Sequence, residues 1–253
     1  MNGQASGTLT GKVALLTGAA RRLGAAMARR LHAGGASVAI HYRGSAAAAT
    51  ALVEELNEAR PGSAIALQAD LLALEQLSQL VEHTVGQLGR LDILVNNAST
   101  FYPTPLAEVT GAQFDDLIGT NLRAPLFLAQ AAAGQLRLHE GLILNLVDIH
   151  GMRPLKRHPA YSSAKAGLIM LTRSLARELA PYVRVNAIAP GPVLWPEGDL
   201  DETLKQNILA RTPLGRVGSA EDIARAAWFF AAEAPFVTGQ VLAIDGGRSL
   251  GGQ

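Results

Sequence analysis

Two residues invite a chemical reading first. Tyr161 and Lys165 stand four apart in the run YSSAK, a spacing that puts both side chains on one face of a helix. An ammonium beside a phenol favours the phenolate and draws the tyrosine pKa toward working pH, which makes the phenol a general acid. A tyrosine and a lysine at this spacing are common, so the pair carries weight only together with a group to act on and elements to hold it.

A second cluster supplies the group. In TGAARRLG (17–24), Gly18 permits a tight turn after a strand and Gly24 lets the following helix approach it. The open N–H groups of that helix start then face a pyrophosphate. The end of the next strand reads HYRGS (41–45) and holds no acid. A carboxylate there would accept hydrogen bonds from a free ribose 2′-hydroxyl and repel a 2′-phosphate. Arg43, Ser45 and Arg21 would instead welcome the phosphate, so the expected cofactor is NADPH/NADP. Asp70 is placed equally well to meet an adenine amino group or to cap the next helix.

The elements that must position these residues alternate from end to end. Strands are expected at 12–18, 37–43, 63–70, 91–99, 141–149, 183–191 and 241–247. Helices are expected at Arg22 to Ala33, Ser45 to Ala59, Leu74 to Leu88, within 113–136, and at Tyr161 to Leu179, with two short ones in 195–233. Strands apolar on both faces suit a covered parallel sheet, and the alternation implies right-handed βαβ units. The expected fold is α/β: a doubly wound seven-stranded parallel sheet with helices on both faces, in a single domain over 11–253. Residues 1–10 read as a flexible tail and about 192–215 as a substrate loop. Thr17, Arg43, Asp70, Asn97, Asp148 and Pro190 all fall at strand ends, so they should crowd the carboxyl edge where such sheets bind ligands.

The ensemble of TGAARRLG, NNAS (96–99), YSSAK and Pro190-Gly191, in that order along nearly the whole chain, resembles the short-chain dehydrogenase/reductase family. The resemblance implies a Rossmann-type fold. It places Gly18, Arg21, Arg22, Leu23, Asn97, Ala98, Pro190 and Gly191 around the cofactor and Lys165 on the nicotinamide ribose. Asn121 matches either a residue that organises a relay water or a packing residue. Four departures from the common pattern coincide. Arg22 replaces a glycine and Asp148 replaces a serine thirteen residues before the tyrosine. The other two are HYRGS itself and NNASTFYPTPL (96–106). Together they resemble pteridine reductases. That likeness implies Phe101 stacking a pterin against the nicotinamide, and Ser99 and Arg22 hydrogen-bonding pterin or cofactor. Asp148, Tyr161 and Lys165 would be the catalytic set. A carboxylate at 148 cannot donate to a ketone oxygen, but a carboxyl group suits proton delivery to nitrogen as hydride enters an adjacent C=N carbon. Dihydrobiopterin, dihydromonapterin and dihydrofolate stay open as substrates.

Composition narrows the remainder. The chain has 253 residues, 49% hydrophobic, a net charge of +1 and no cysteine. That leaves ample core and excludes disulfides and thiolate metal sites. No metal site is expected, and no nucleic-acid or membrane partner acting through bulk charge. A cytoplasmic homotetramer acting on a small molecule is expected. The rival readings are a general carbonyl or 3-oxoacyl reductase, opposed by Asp148, and a non-catalytic NADP-binding protein, opposed by Tyr161 and Lys165.

Overall fold

The computed structural model describes residues 9–195 and 201–251. Seven strands form one parallel sheet: β1 (Val13–Leu16), β2 (Ser37–Tyr42), β3 (Ala64–Gln68), β4 (Ile93–Asn96), β5 (Leu142–Leu146), β6 (Arg184–Pro190) and β7 (Val241–Ile244). Their spatial order is β3-β2-β1-β4-β5-β6-β7. The chain therefore winds one way from β1 to β3 and the other way from β4 to β7. The switch point lies between β1 and β4, where Leu16 pairs with Val95. Ligand crevices open at the carboxyl ends of strands at such a point.

Strand sequence explains the two covered faces. Successive side chains point to opposite sides. Ala14 and Leu16 of β1, Ile93 and Val95 of β4, and Leu142, Leu144 and Leu146 of β5 enter one core. Leu15, Leu94 and Ile143 enter the other. The first core is closed by α1 (Arg22–Ala33), α2 (Ala46–Ala59) and α8 (Ala220–Trp228). The second is closed by α3 (Leu74–Leu88), α5 (Ala124–Leu138) and the end of α6 (Pro159–Glu178). The chain is a single domain of the doubly wound kind.

Local boundaries differ from the sequence reading in a few places. The helix expected within 113–136 begins at Gly111, because Thr110 and Gln113 form a reciprocal capping box, which fixes the start. It runs as α4 (Gly111–Ile118), then a π turn over Gly119–Arg123, then α5. Helix α6 starts at Pro159 rather than Tyr161, proline being at home in a first turn. The two short helices are α7 (Glu202–Ala210) and α8. Residues 1–8 of the expected tail lie outside the described residues. Leu9 does not belong to a loose tail: it is buried in the first core and its N–H donates to Gly34 O. Among the described residues, no helix is long and apolar enough to cross a membrane.

Candidate active site

The carboxyl edge is stitched together at the switch point. Thr17 Oγ1 accepts the N–H groups of Asn97 and Ala98, each at 3.0 Å, and Asn97 Nδ2 donates to Thr17 O and Gly18 O. This brings the turn after β1 against the turn after β4. The approach is so close that a Cβ on Gly18, whose φ is +59°, would lie 2.9 Å from Ala98 Cα. At Gly24 a Cβ would lie 2.5 Å from Ala19 Cα, so the backbone of α1 can reach the turn only because that residue is glycine.

A cavity of about 370 Å³ opens beside this junction, lined by Gly18, Arg21, Arg22, Leu23, Arg43, Asp70, Asn97, Ala98 and Ser99 among others. Among the described residues, three guanidinium groups and one carboxylate line it. Asp70 Oδ1 accepts Leu72 N–H at 3.0 Å, closing the turn that leads into α3. Its capping role is thus visible, while it still lines the cavity. The first turn of α1 holds no acid, and its N-cap residue Arg21 makes no side-chain capping bond. The helix start is thereby left for an anion. Ser45 sits at the N-cap of α2, where its side chain makes no capping bond, just beyond the residues that line this cavity.

Arg22 has φ +52°, in the left-handed region that glycine enters freely. A non-glycine residue there costs on the order of 1–3 kcal/mol. Its Nη2 donates to Trp195 O at 3.1 Å, and its side chain lines both cavities. The start of α1 is thereby joined to the segment after β6, which a solvated surface arginine would not do.

The second cavity, about 620 Å³, shares Arg22, Leu23, Asn97 and Ser99 with the first and continues over Phe101, Asp148, Tyr161, Lys165, Pro190 and Gly191. The ten residues expected to meet here from five separate segments do so. At its floor, Tyr161 Oη donates to Asp148 Oδ2 at 2.8 Å. Asp148 Oδ1 accepts His150 N–H, also at 2.8 Å, and caps the short 3₁₀ turn over Ile149–Gly151. Both carboxylate oxygens are thus held in place. Lys165 is buried, with Nζ 2.9 Å from Leu146 O and 5.7 Å from the Tyr161 ring centre.

The electrostatics correct one expectation. Tyr161 is not drawn toward a phenolate. Burial first, then the adjacent Asp148 charge and its hydrogen bond, raise its pKa above the ordinary value, opposed only by a hydrogen bond with Ser99. The Lys165 ammonium donates to Leu146 O, while the phenol itself donates to the Asp148 carboxylate. Lys165 itself is pushed down to about 8 by burial, with Asp148 working the other way. The site therefore presents a neutral phenol, already donating, over a lysine that titrates near working pH.

Phe101 is 55% exposed, so it is not a core ring. It stacks on His158 at 4.8 Å and meets Tyr161 edge-on at 4.8 Å. Its loop is held from beneath by Asn121, in the π turn. Asn121 Nδ2 donates to Thr100 O and Leu117 O, and its Oδ1 accepts Ser99 Oγ–H at 2.6 Å.

A family model described as enoyl-(acyl carrier protein) reductase matches residues 18–249. The chain belongs to the short-chain dehydrogenase/reductase family. Pteridine reductase 1 of Leishmania tarentolae is 38% identical over 285 aligned residues, covering 95% of this chain and 97% of that protein. A 3-oxoacyl-[acyl-carrier-protein] reductase of Staphylococcus aureus is also 38% identical, over 243 residues, covering 94% and 98%. Among solved structures, a blue fluorescent protein from a metagenomic library in complex with NADPH superposes with a TM-score of 0.89 at 38% identity, covering 95% of this chain and 99% of that one. This short-chain oxidoreductase uses NADP(H), in keeping with the arginine-lined cavity beside Gly18 and the acid-free end of β2.

Sequence reasoning missed three contributors. His41 Nδ1 accepts Gly18 N–H at 3.0 Å, and its other ring nitrogen lies 3.1 Å from Ala69 O. These partners select the Nε2–H tautomer and tie the glycine turn to the ends of β2 and β3. His41 stands next to Tyr42 in the very stretch read for its missing acid, and strand alternation puts it on the buried face. The buried relay Asn96 Nδ2 to Asn145 Oδ1 and Asn145 Nδ2 to Thr172 Oγ1 links β4, β5 and α6. Polar residues inside apolar strands were its signal. Arg248, in the turn after β7, lines the second cavity, and no motif marked it.

Proposed function

We propose that this enzyme uses NADPH to reduce a pteridine of the dihydrobiopterin, dihydromonapterin or dihydrofolate kind, adding hydride to the carbon of a C=N bond. The observation that carries this reading is the Tyr161–Asp148 hydrogen bond of 2.8 Å, at a position where a serine donor would serve a ketone. When bound, NADPH supplies the hydride. Addition to carbon leaves an electron pair on the neighbouring nitrogen, which must take a proton. Tyr161 and Asp148 hold a transferable proton between them at the cavity floor, and half-buried Asp148 can be recharged from water. A negative carboxylate close to a developing alkoxide would instead oppose ketone reduction. Phe101, edge-on to Tyr161 and open to the cavity, offers a planar heterocycle a wall. Lys165 is positioned to hold the ribose hydroxyls, and Arg22 to neutralise phosphate and meet the pterin oxygen.

The 3-oxoacyl reductase reading draws support from the apolar wall formed by Leu194, Trp195, Leu204 and Ile208, which would suit an acyl chain, and from a relative of equal identity. One panel separates the two: loss of NADPH absorbance with dihydrobiopterin, dihydrofolate or a 3-oxoacyl thioester as acceptor. Turnover of a pteridine with little on the thioester supports the proposal, and the reverse result sinks it. A homotetramer is proposed with it, on the exposed apolar residues Phe114, Leu126 and Leu138 of α4 and α5. Such faces suit self-association, and light scattering at micromolar concentration tests it.

A further inference from the structure

The second cavity reaches beyond the groups that the proposed chemistry uses. Its far wall is made by Trp195, by Leu204 and Ile208 of α7, and by Arg248. None of the residues of α7 is buried, and Leu204 remains 48% exposed. The helix therefore spends its apolar side chains on the cavity rather than on a core. Arg248 opens the 3₁₀ turn Arg248–Leu250 that follows β7, and its Nη1 donates to Ile208 O at 3.0 Å. The same turn is tied to the loop before α6, where Arg153 donates to Gly251 O. Arg248 thus stands on a strap joining α7 to the loop that carries Asp148.

The charges around it do not cancel within the described residues. The nearby Asp245 carboxylate is engaged by backbone, accepting Gly247 N–H and Ser249 N–H at 2.8 Å each, and no described carboxylate forms an ion pair with Arg248. Burial and the neighbouring Arg211 both press its pKa down, against Asp245, as expected of a cation held beside a cation. Among the described residues that line the cavity, the cationic side chains are Arg22, Lys165 and Arg248, and the carboxylate is that of Asp148. Arg22 and Lys165 face the cofactor's phosphate and ribose in the proposed reading, which leaves Arg248 for the substrate.

We infer that Arg248 is a substrate-specificity residue that binds a carboxylate, so that the preferred substrate is a reducible pteridine whose ring carries an aromatic linker ending in a carboxylate. The linker lies on Trp195, Leu204 and Ile208, and the carboxylate meets the guanidinium. This inference rests on the pteridine reading above. Dihydrofolate has such an arm; dihydrobiopterin has the same reducible ring with a short, uncharged one.

Steady-state kinetics with both compounds test it, on the wild type, Arg248→Gln and Arg248→Lys. The wild type should show the higher kcat/KM with dihydrofolate. Arg248→Gln should raise the dihydrofolate KM about tenfold, the lower end for a charge-assisted hydrogen bond that water can reach. It should leave kcat, the dihydrobiopterin KM and the NADPH KM within about twofold. Arg248→Lys should recover part of the loss, and the wild-type preference should shrink as salt screens the pair. If both pteridines suffer alike in Arg248→Gln, with a lowered Tm, Arg248 merely braces the turn and the inference is wrong. It is equally wrong if the variant is silent or if the wild type prefers dihydrobiopterin. Turnover of neither pteridine, with turnover of the thioester, removes the underlying reading and this inference with it.

Discussion

The two cavities share four residues but are built from different materials. On the β1–β2 side, backbone and neutral groups do the positioning: the Gly18 turn, the Thr17–Asn97 stitches and the neutral His41 imidazole. Charge enters with Arg21, Arg22 and Arg43 and with the carboxylate of Asp70. On the β5–α6 side, ionisable groups lie against one another, with Asp148, Tyr161 and Lys165 all at hydrogen-bond or ring distance. A cofactor of fixed shape needs a stiff cradle, and backbone geometry supplies it. A reaction that moves a proton needs groups whose ionisation depends on one another. Substitutions on the second side should accordingly strike turnover, and those on the first should strike cofactor binding.

The largest effect should come from Asp148→Asn. The amide keeps the shape but can no longer take up a proton and pass it on. Pteridine kcat should fall about 10²–10⁴-fold, the range for general acid–base groups, with the NADPH KM little changed. Equal loss in both parameters would mean that the substitution had disturbed the cradle instead. Next comes Arg43→Asp on the other side. Replacing a cation with an anion beside the expected 2′-phosphate should lower kcat/KM for NADPH about tenfold or more and leave NADH use unchanged or improved. A variant that loses both nucleotides equally would break the division.

The pH profile sharpens the same contrast. With Lys165 pushed down to about 8 in the unliganded enzyme, the ammonium is present below that pH and lost above it. Tyr161 is raised and stays a neutral phenol throughout. Hence kcat/KM should fall on the alkaline side with an apparent pKa near 8, by about tenfold per unit at the limit. An alkaline limb that begins near the ordinary lysine value would refute this account. Phe101→Ala should have a smaller effect. A stacked ring contributes about 0.5–1.5 kcal/mol beyond its buried area, so the pteridine KM should rise up to about tenfold with NADPH affinity intact. A loss of Tm without a kinetic change would contradict the ring's placement in the cavity.

The same division sets what the sequence could reveal. Glycine spacing, strand–helix alternation and an acid-free strand end are local signals, so the sheet, its edge and most of the cofactor cradle were legible. Expectations that depended on three-dimensional distance fared less well. The Tyr161–Lys165 spacing suggested a lowered phenol pKa, but burial of the phenol and then the hydrogen-bonded Asp148, which follows β5, raise it instead. Arg248 belongs to the cavity only because β7 ends next to α7, a proximity that no motif encodes.

His41 gives the smallest and most specific test, because it alone would bring pH sensitivity to the stiff side. Its ring is buried and neutral: Nδ1 accepts Gly18 N–H, Nε2 faces Ala69 O, and burial holds its pKa below the ordinary histidine value, with Ala69 and Asp70 opposing. Protonation would set an N–H against the N–H of Gly18. A histidine whose folded pKa is depressed binds its proton more readily in the unfolded chain. Its contribution to stability is therefore present above the ordinary histidine pKa of about 6.5 and is lost as pH falls from there toward the folded value. Wild-type Tm should thus decline between about pH 7 and pH 5 more steeply than that of His41→Gln. The comparison within one background cancels the other buried histidine, His32, whose pKa is also lowered. At neutral pH the variant should lose on the order of 1–3 kcal/mol, the penalty for weakening or orphaning a partly buried donor, and should bind NADPH a few-fold more weakly because the Gly18 turn is no longer pinned. Its kcat at saturating NADPH should be unchanged. Parallel Tm curves for the two proteins would show that the imidazole is only a filler, and a loss of kcat would show that the two sides of the molecule are not separable.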